Sequence, residues 1–226
     1  MKSEIDPDGS LPDVVPAERF ARRPGDPSWT AAFIETAYQL LKVDGMRSLV
    51  AQYWPQIQMH LSQLAAAAKA SPTAWPPTTY GDWVPPSQPP GATHQCNPTN
   101  NPPGTCHFPL ARAYTSAYAW ISNLQASATI AAAIGEHAAA TELRSLIAQL
   151  ARRWNGEWLH VQNGTYDTGI QTTFALPLAL GIVPNSSHSI VAESFTKSVQ
   201  AAKLHGTGKH TQHTPGDRAV QREVAL

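Results

Sequence analysis

Apolar residues recur at helical spacing through most of this chain, and the helical stretches are joined alternately by a single glycine-bearing turn and by a long loop. That rhythm limits the architecture more than any other feature. "SWTAAFIETAYQLLKVDG" (28–45) places Phe33, Ala37, Leu40 and Leu41 on one face, with Ser28 as a candidate cap and Gly45 as a left-handed stop. The next stretch, 46–70, carries Leu49, Tyr53, Ile57, Leu61 and Leu64 on one stripe, and Pro55 is expected to kink or break it. Helices are predicted again over 110–135, closed by a glycine, and over 136–161. A short apolar helix follows within 170–184, ended by Gly181 and Pro184, and a last one spans 186–206. No strand-type alternation rises anywhere.

Helices joined by so tight a turn lie antiparallel. Stacked helix hairpins have two common solutions, an open solenoid or a closed toroid. The pairs show no shared repeat motif, and the alternation of short and long connections favours the toroid. Its tight turns gather at one end, and its long loops shape a pocket at the other.

Two loops stand out. Residues 8–33, "DGSLPDVVPAERFARRPGDPSWTAAF", place four prolines ahead of Trp29 at the head of the first helix. Residues 71–108 crowd prolines around Trp75, Tyr80 and Trp83, and a loop of that length inside a domain is usually functional or disordered. The part after Pro85 reads as a mobile excursion.

With 226 residues and 42% hydrophobic content the chain can build a real core, as one large domain or two small ones. Sixteen basic residues balance sixteen acidic ones, so no net field favours nucleic acid or an anionic membrane. Charged residues are only 14% of the chain, against a usual ~25%. A polar partner would be met mainly by uncharged groups and aromatic rings, which suits a sugar better than a phosphate. No apolar run approaches the roughly 20 residues of a membrane span, and the N-terminal stretch lacks the apolar segment of a secretory signal. Cys96 and Cys106 close a Pro-rich loop either as a disulfide or as two free thiols. The sequons at Asn163 and Asn185 would suit a secreted setting or arise by chance. His205, His210 and His213 lack an accompanying cysteine or acidic pair, so no metal and no cofactor is expected.

Four segments, "DGSLPDVVP", "PGDPSW", "YGDW" and "TYDTGIQTTFALPLALGIVP", follow one another in an order and spacing that resemble the catalytic domain of bacterial and fungal α-L-rhamnosidases (glycoside hydrolase family seventy-eight), over roughly residues 6–184. The resemblance implies an all-α fold of antiparallel helix hairpins forming part of an (α/α)6 toroid; this partial domain is read over 1–204, and 205–226, polar and without a helical stripe, is read as a disordered tail. The resemblance also implies a pocket for a terminal L-rhamnose and an inverting hydrolysis by two carboxyl groups.

On this reading Trp29 and Trp83 are two apolar walls against the C–H face and methyl group of the deoxy sugar. Asp26 and Asp82 beside them accept hydrogen bonds from its hydroxyls. Asp13 is a weaker candidate, and each aspartate also has a plain turn or capping reading. Trp120, Trp154 and Trp158 read as core packing, and Gln171 and Thr172 as a helix start.

The chain departs from the family at two places. The family's general acid lies in an Asp-Glu-Arg-type segment upstream of the "PDVVP" stretch, and its base in a Trp-Glu pair downstream of the "ALPLALGIVP" helix. Neither motif is in this sequence, and 205–226 looks like a shifted reading frame. Glu35, Glu136, Glu142 and Glu157 read as solvated. No catalytic residue is therefore assigned, and the chain is expected to be an inactive, poorly soluble fragment. Competing readings are another (α/α)6 glycosidase, a non-catalytic sugar-binding or helical scaffold protein, and a helix-repeat peptide binder.

Overall fold

A computed structural model describes residues 4–17, 22–81 and 112–201. Most of the Pro-rich loop, including Asp82, Trp83, Cys96 and Cys106, lies outside these residues, as does the tail at 205–226.

The described residues form six helices: α1 (Pro27–Lys42), α2 (Arg47–Ala70), α3 (Arg112–Ile134), α4 (His137–Trp158), α5 (Gln171–Leu180) and α6 (His188–Ala201). Each expected helix is present, with ends moved by a few residues. The cap of α1 is Asp26 rather than Ser28: its carboxylate receives the Ser28 N–H, and Pro27 fills the first helical position, where no backbone donor is needed. Helix α2 runs through Pro55 without interruption. One small ladder was not foreseen, β1 (Leu159–His160) antiparallel to β2 (Thr165–Tyr166). Two-residue strands are too short to show alternation.

The connections obey the expected asymmetry. Residues 43–46 join α1 to α2, with Gly45 at φ +64°, and Gly135 at φ +96° turns α3 into α4. Positive φ is open to glycine at little cost, so these two residues allow the abrupt reversals. Helix α5 ends on Gly181, also left-handed, whose N–H donates to Leu178 O at 3.1 Å while Ile182 N–H reaches Pro177 O at 3.1 Å.

Helix α3 is the centre of the molecule. It packs against α4, α1, α2 and α5. Its buried residues alternate bulk with small side chains: Trp120, Ile121, Leu124 and Ile130 among Ala117, Ala119, Ser127 and Ala131. Small residues let neighbouring helices approach from several sides, and the large ones fill the space between them. Phe33 and Ile34 of α1, Trp54 and Ile57 of α2, Trp154 of α4, Phe174 of α5 and Val191 of α6 complete the core. Each large apolar side chain so buried contributes about 1.5–3 kcal/mol relative to exposure. Trp120, Trp154 and Trp158 are all buried, as the sequence suggested.

Contacts run from α1 to α3 to α5, while α2 packs on both α1 and α3, α4 on α3, and α6 on α5. Tyr114 at the start of α3 donates to Thr173 O at the start of α5, and residues 75–80 touch both Trp158 beside Tyr114 and Asp26 at the start of α1. The N-terminal ends of α1, α3 and α5 therefore share one face, reached by the opening loop, residues 71–81 and the β1–β2 hairpin. No helix among the described residues is long and apolar enough to cross a membrane.

Candidate functional site: the loop face

The opening loop doubles back on itself before α1. Gly25 N–H donates to Leu11 O at 2.7 Å, and a Cβ at Gly25 would stand 2.7 Å from Asp13 N. Only a residue without a side chain fits there, and the close approach brings Asp13 beside Asp26. Asp26 N–H donates to Asp13 Oδ1 at 2.6 Å.

Asp26 is then filled from two directions. Its Oδ1 accepts from Ser28 N–H at 3.0 Å and from Ser28 Oγ at 2.6 Å. Its Oδ2 accepts from Thr78 Oγ1 at 2.5 Å, Thr79 N–H at 2.7 Å and Tyr80 N–H at 3.2 Å. The side chain is 3% exposed. The contact expected from Asp26 to sugar hydroxyls thus has no free oxygen to make it. The carboxylate instead ties the start of α1 to the segment 78–80, more than fifty residues away in sequence. Asp13 is committed in the same way, since its Oδ2 accepts the Tyr80 hydroxyl at 2.8 Å. Burial, and then the hydrogen bond to Asp13, push the Tyr80 phenol up to about 12, so it stays a donor at neutral pH.

The outcome is an aromatic pair. Tyr80 lies against Trp29 with ring centroids 5.0 Å apart and planes tilted by 34°. Trp29 remains 42% exposed, although it stands beside a buried carboxylate at the mouth of a helix. An exposed indole held by a phenol whose own hydroxyl is engaged presents an apolar surface with a fixed orientation. The placement of Trp29 at the head of α1 was legible in the sequence. Its partner was not: Tyr80 was visible only as one aromatic in the Pro-rich loop, though its position directly before "GDW" marked it. Trp83 and Asp82 follow within three residues of Tyr80.

Behind the pair, the start of the same loop is locked to α4. Trp75 is fully buried; it stacks on Trp158 at 5.5 Å and meets Trp154 edge-on at 6.4 Å. Its indole N–H donates to Glu157 Oε2 at 2.9 Å, and Arg153 lies 4.8 Å over its ring while donating to the carbonyls of Thr73 and Ala74. Glu157, expected to be merely solvated, therefore has a structural partner. Tyr114 joins the cluster from α3, and its hydroxyl donates to Thr173 O at the start of α5. Among the described residues no group of three or more His, Cys, Asp or Glu could hold a metal ion.

Helix hairpins packed around α3, with the opening loop and residues 71–81 meeting at an exposed aromatic pair, define a helical-hairpin domain. Residues 1–210 match the bacterial alpha-L-rhamnosidase 6 hairpin glycosidase domain, and the chain belongs to that family. Three solved structures share the fold. The α-L-rhamnosidase of Dictyoglomus thermophilum superposes with a TM-score of 0.71 at 21% identity, over 88% of this chain and 20% of that one. The Streptomyces avermitilis α-L-rhamnosidase, solved in complex with L-rhamnose, gives 0.68 at 17% identity over 89% and 17%. The native α-L-rhamnosidase of Aspergillus terreus gives 0.69 at 16% over 86% and 21%. The chain thus spans about a fifth of the length of these relatives. No curated protein matches it.

Proposed function

We propose that this chain forms the sugar-holding portion of an α-L-rhamnosidase, a glycoside hydrolase that releases terminal L-rhamnose with inversion. Trp29 supplies one apolar wall for the deoxy sugar, and Trp83 and Asp82, just beyond Tyr80, supply a second wall and a hydroxyl acceptor. Asp26 and Asp13 act through Tyr80, by fixing it against Trp29.

The observation that carries the reading is the exposed Trp29 ring, braced by Tyr80 at the N-terminal end of α1. Indole faces suit sugar C–H surfaces, and a 6-deoxy sugar adds a methyl group to that surface. The relative solved with L-rhamnose supports the choice of sugar.

Inverting hydrolysis needs one carboxylic acid and one carboxylate roughly 6.5–9.5 Å apart. On the loop face Asp13, Asp26 and Glu157 are each engaged in hydrogen bonds that build the fold. Neither of the family's acid and base segments is in this sequence, so the part we assign to this chain is binding of rhamnose rather than its cleavage.

Titrating tryptophan fluorescence of the 226-residue chain with L-rhamnose tests this. A saturable change that disappears in Trp29→Ala, with no release of nitrophenol from nitrophenyl α-L-rhamnoside, is the expected result. An equal response to D-glucose, or an unchanged response in Trp29→Ala, would refute the assignment.

A further inference from the structure

We infer that Asn163, at the tip of the β1–β2 hairpin, is an acceptor for an N-linked glycan, and that the second sequon at Asn185 is not. Both sequons, Asn163-Gly164-Thr165 and Asn185-Ser186-Ser187, have the sequence that asparagine glycosylation requires. Their surroundings differ.

Asn163 is exposed in a tight turn in which its own N–H and that of Gly164 both reach His160 O. Its side-chain Oδ1 accepts from Thr165 N–H at 3.0 Å and from Thr165 Oγ1 at 2.7 Å. The sequon hydroxyl is therefore already turned onto the amide oxygen, where it draws electron density from the group. Among the described residues nothing accepts from the Asn163 amide nitrogen, so Nδ2 points outward unencumbered.

The turn is also rigid. Gly164 has φ +66°, and a Cβ there would sit 2.7 Å from the backbone of Ile190, so the tip is pressed onto α6. Ser194 Oγ anchors it further by donating to Asn163 O at 2.7 Å. Two residues earlier Val161 is 57% exposed, an apolar side chain that a glycan would cover.

Asn185 opens a short 3-10 turn (Asn185–Ser187) directly after Pro184. The third residue of its sequon, Ser187, is 7% exposed, and its N–H is bound to Pro184 O at 2.9 Å. Thr165 is partly exposed and Ser187 is buried, so only the first sequon keeps its hydroxyl at the surface of the folded domain.

The co-reactant is an oligosaccharide carried on a lipid pyrophosphate, delivered by a membrane oligosaccharyltransferase. Asn163 Nδ2 attacks C1 of the reducing-end sugar and forms the Nδ2–C1 bond. The C1–O bond to pyrophosphate breaks, the lipid pyrophosphate leaves with the electron pair, and the Nδ2 proton passes to a carboxylate of the transferase.

The test expresses the full chain behind a secretory leader in a eukaryotic host, or translates it into microsomes where secretion is poor. Peptide-N-glycosidase treatment in heavy-oxygen water and mass spectrometry of the peptides follow. The expected result is one glycan per chain, at Asn163, lost in both Asn163→Gln and Thr165→Val and retained in Asn185→Gln. Thr165→Val keeps the β-branched shape, so loss of the glycan there reads the hydroxyl and not unfolding. An unmodified Asn163 in translocated chain, or equal occupancy at Asn185, overturns the inference.

Discussion

The phenol of Tyr80 donates to Asp13 Oδ2 at 2.8 Å, across sixty-seven residues of chain, while its backbone N–H is held by Asp26. One residue thereby donates to both of the aspartates that the opening loop brings together. Replacing Tyr80 by Phe keeps the ring against Trp29 and leaves Asp13 Oδ2 without that donor. We expect a loss of about 1–2 kcal/mol in urea unfolding, with rhamnose affinity within a few-fold of the parent. Tyr80→Ala should abolish the fluorescence response, because the brace on Trp29 is gone.

Asp26 is a stronger test of the same network. Asp26→Ala removes an acceptor of five hydrogen bonds that joins α1 to the segment 78–80. A destabilisation of roughly 3–5 kcal/mol is expected from equilibrium unfolding, as for other breaks in buried polar networks. Asp26→Asn retains one acceptor oxygen and should lose less. If Asp26→Ala were as stable as the parent but deficient in binding, direct sugar contact would replace the bracing role.

Stability should also depend on pH through His60. This α2 residue is 1% exposed, its Nδ1 lies 3.0 Å from Gly9 O, and Phe33 meets it edge-on. Burial lowers its proton affinity below the ordinary value of 6.5, and the Gly9 contact only partly offsets this. The unfolded chain then binds the proton more readily, so the contribution is complete above pH 6.5 and is lost as the pH falls below it. Urea midpoints measured downward from about pH 7.5 to 5.5 should drop in the parent. They should stay flatter in His60→Phe.

Gly9 carries the opening loop over α2 at φ +87°, where a Cβ would fall 2.2 Å from Met59 O. Gly9→Ala therefore meets both backbone strain and a main-chain clash. We expect a cost of roughly 2–4 kcal/mol. Limited proteolysis should then cut residues 4–17 first, since they can no longer seat on α2.

The helices were legible because their apolar stripes repeat at the helical period and their turns carry Gly45, Gly135 and Gly181. The four family-like segments made the family legible as well, and Trp29 stood out as an aromatic at a helix head. What escaped was anything set by distant contacts. Asp26 looked like a sugar ligand because its sequence neighbours are Pro27 and Trp29. Its real partners, Thr78 to Tyr80, come from another loop. Glu157 looked solvated for the same reason, since nothing near it in sequence announces Trp75. The β1–β2 ladder is too short for any pattern to reveal.

The capped start of α1 has an electrostatic consequence. Each helix ends in unpaired N–H groups that together act as about half a positive charge at its N-terminus. At α1 the buried Asp26 carboxylate sits on that end and accepts the Ser28 N–H. The partial charge it meets there is fixed by the backbone and needs no lysine or arginine to supply it. Residues around Asp26 can therefore diverge while that charge persists.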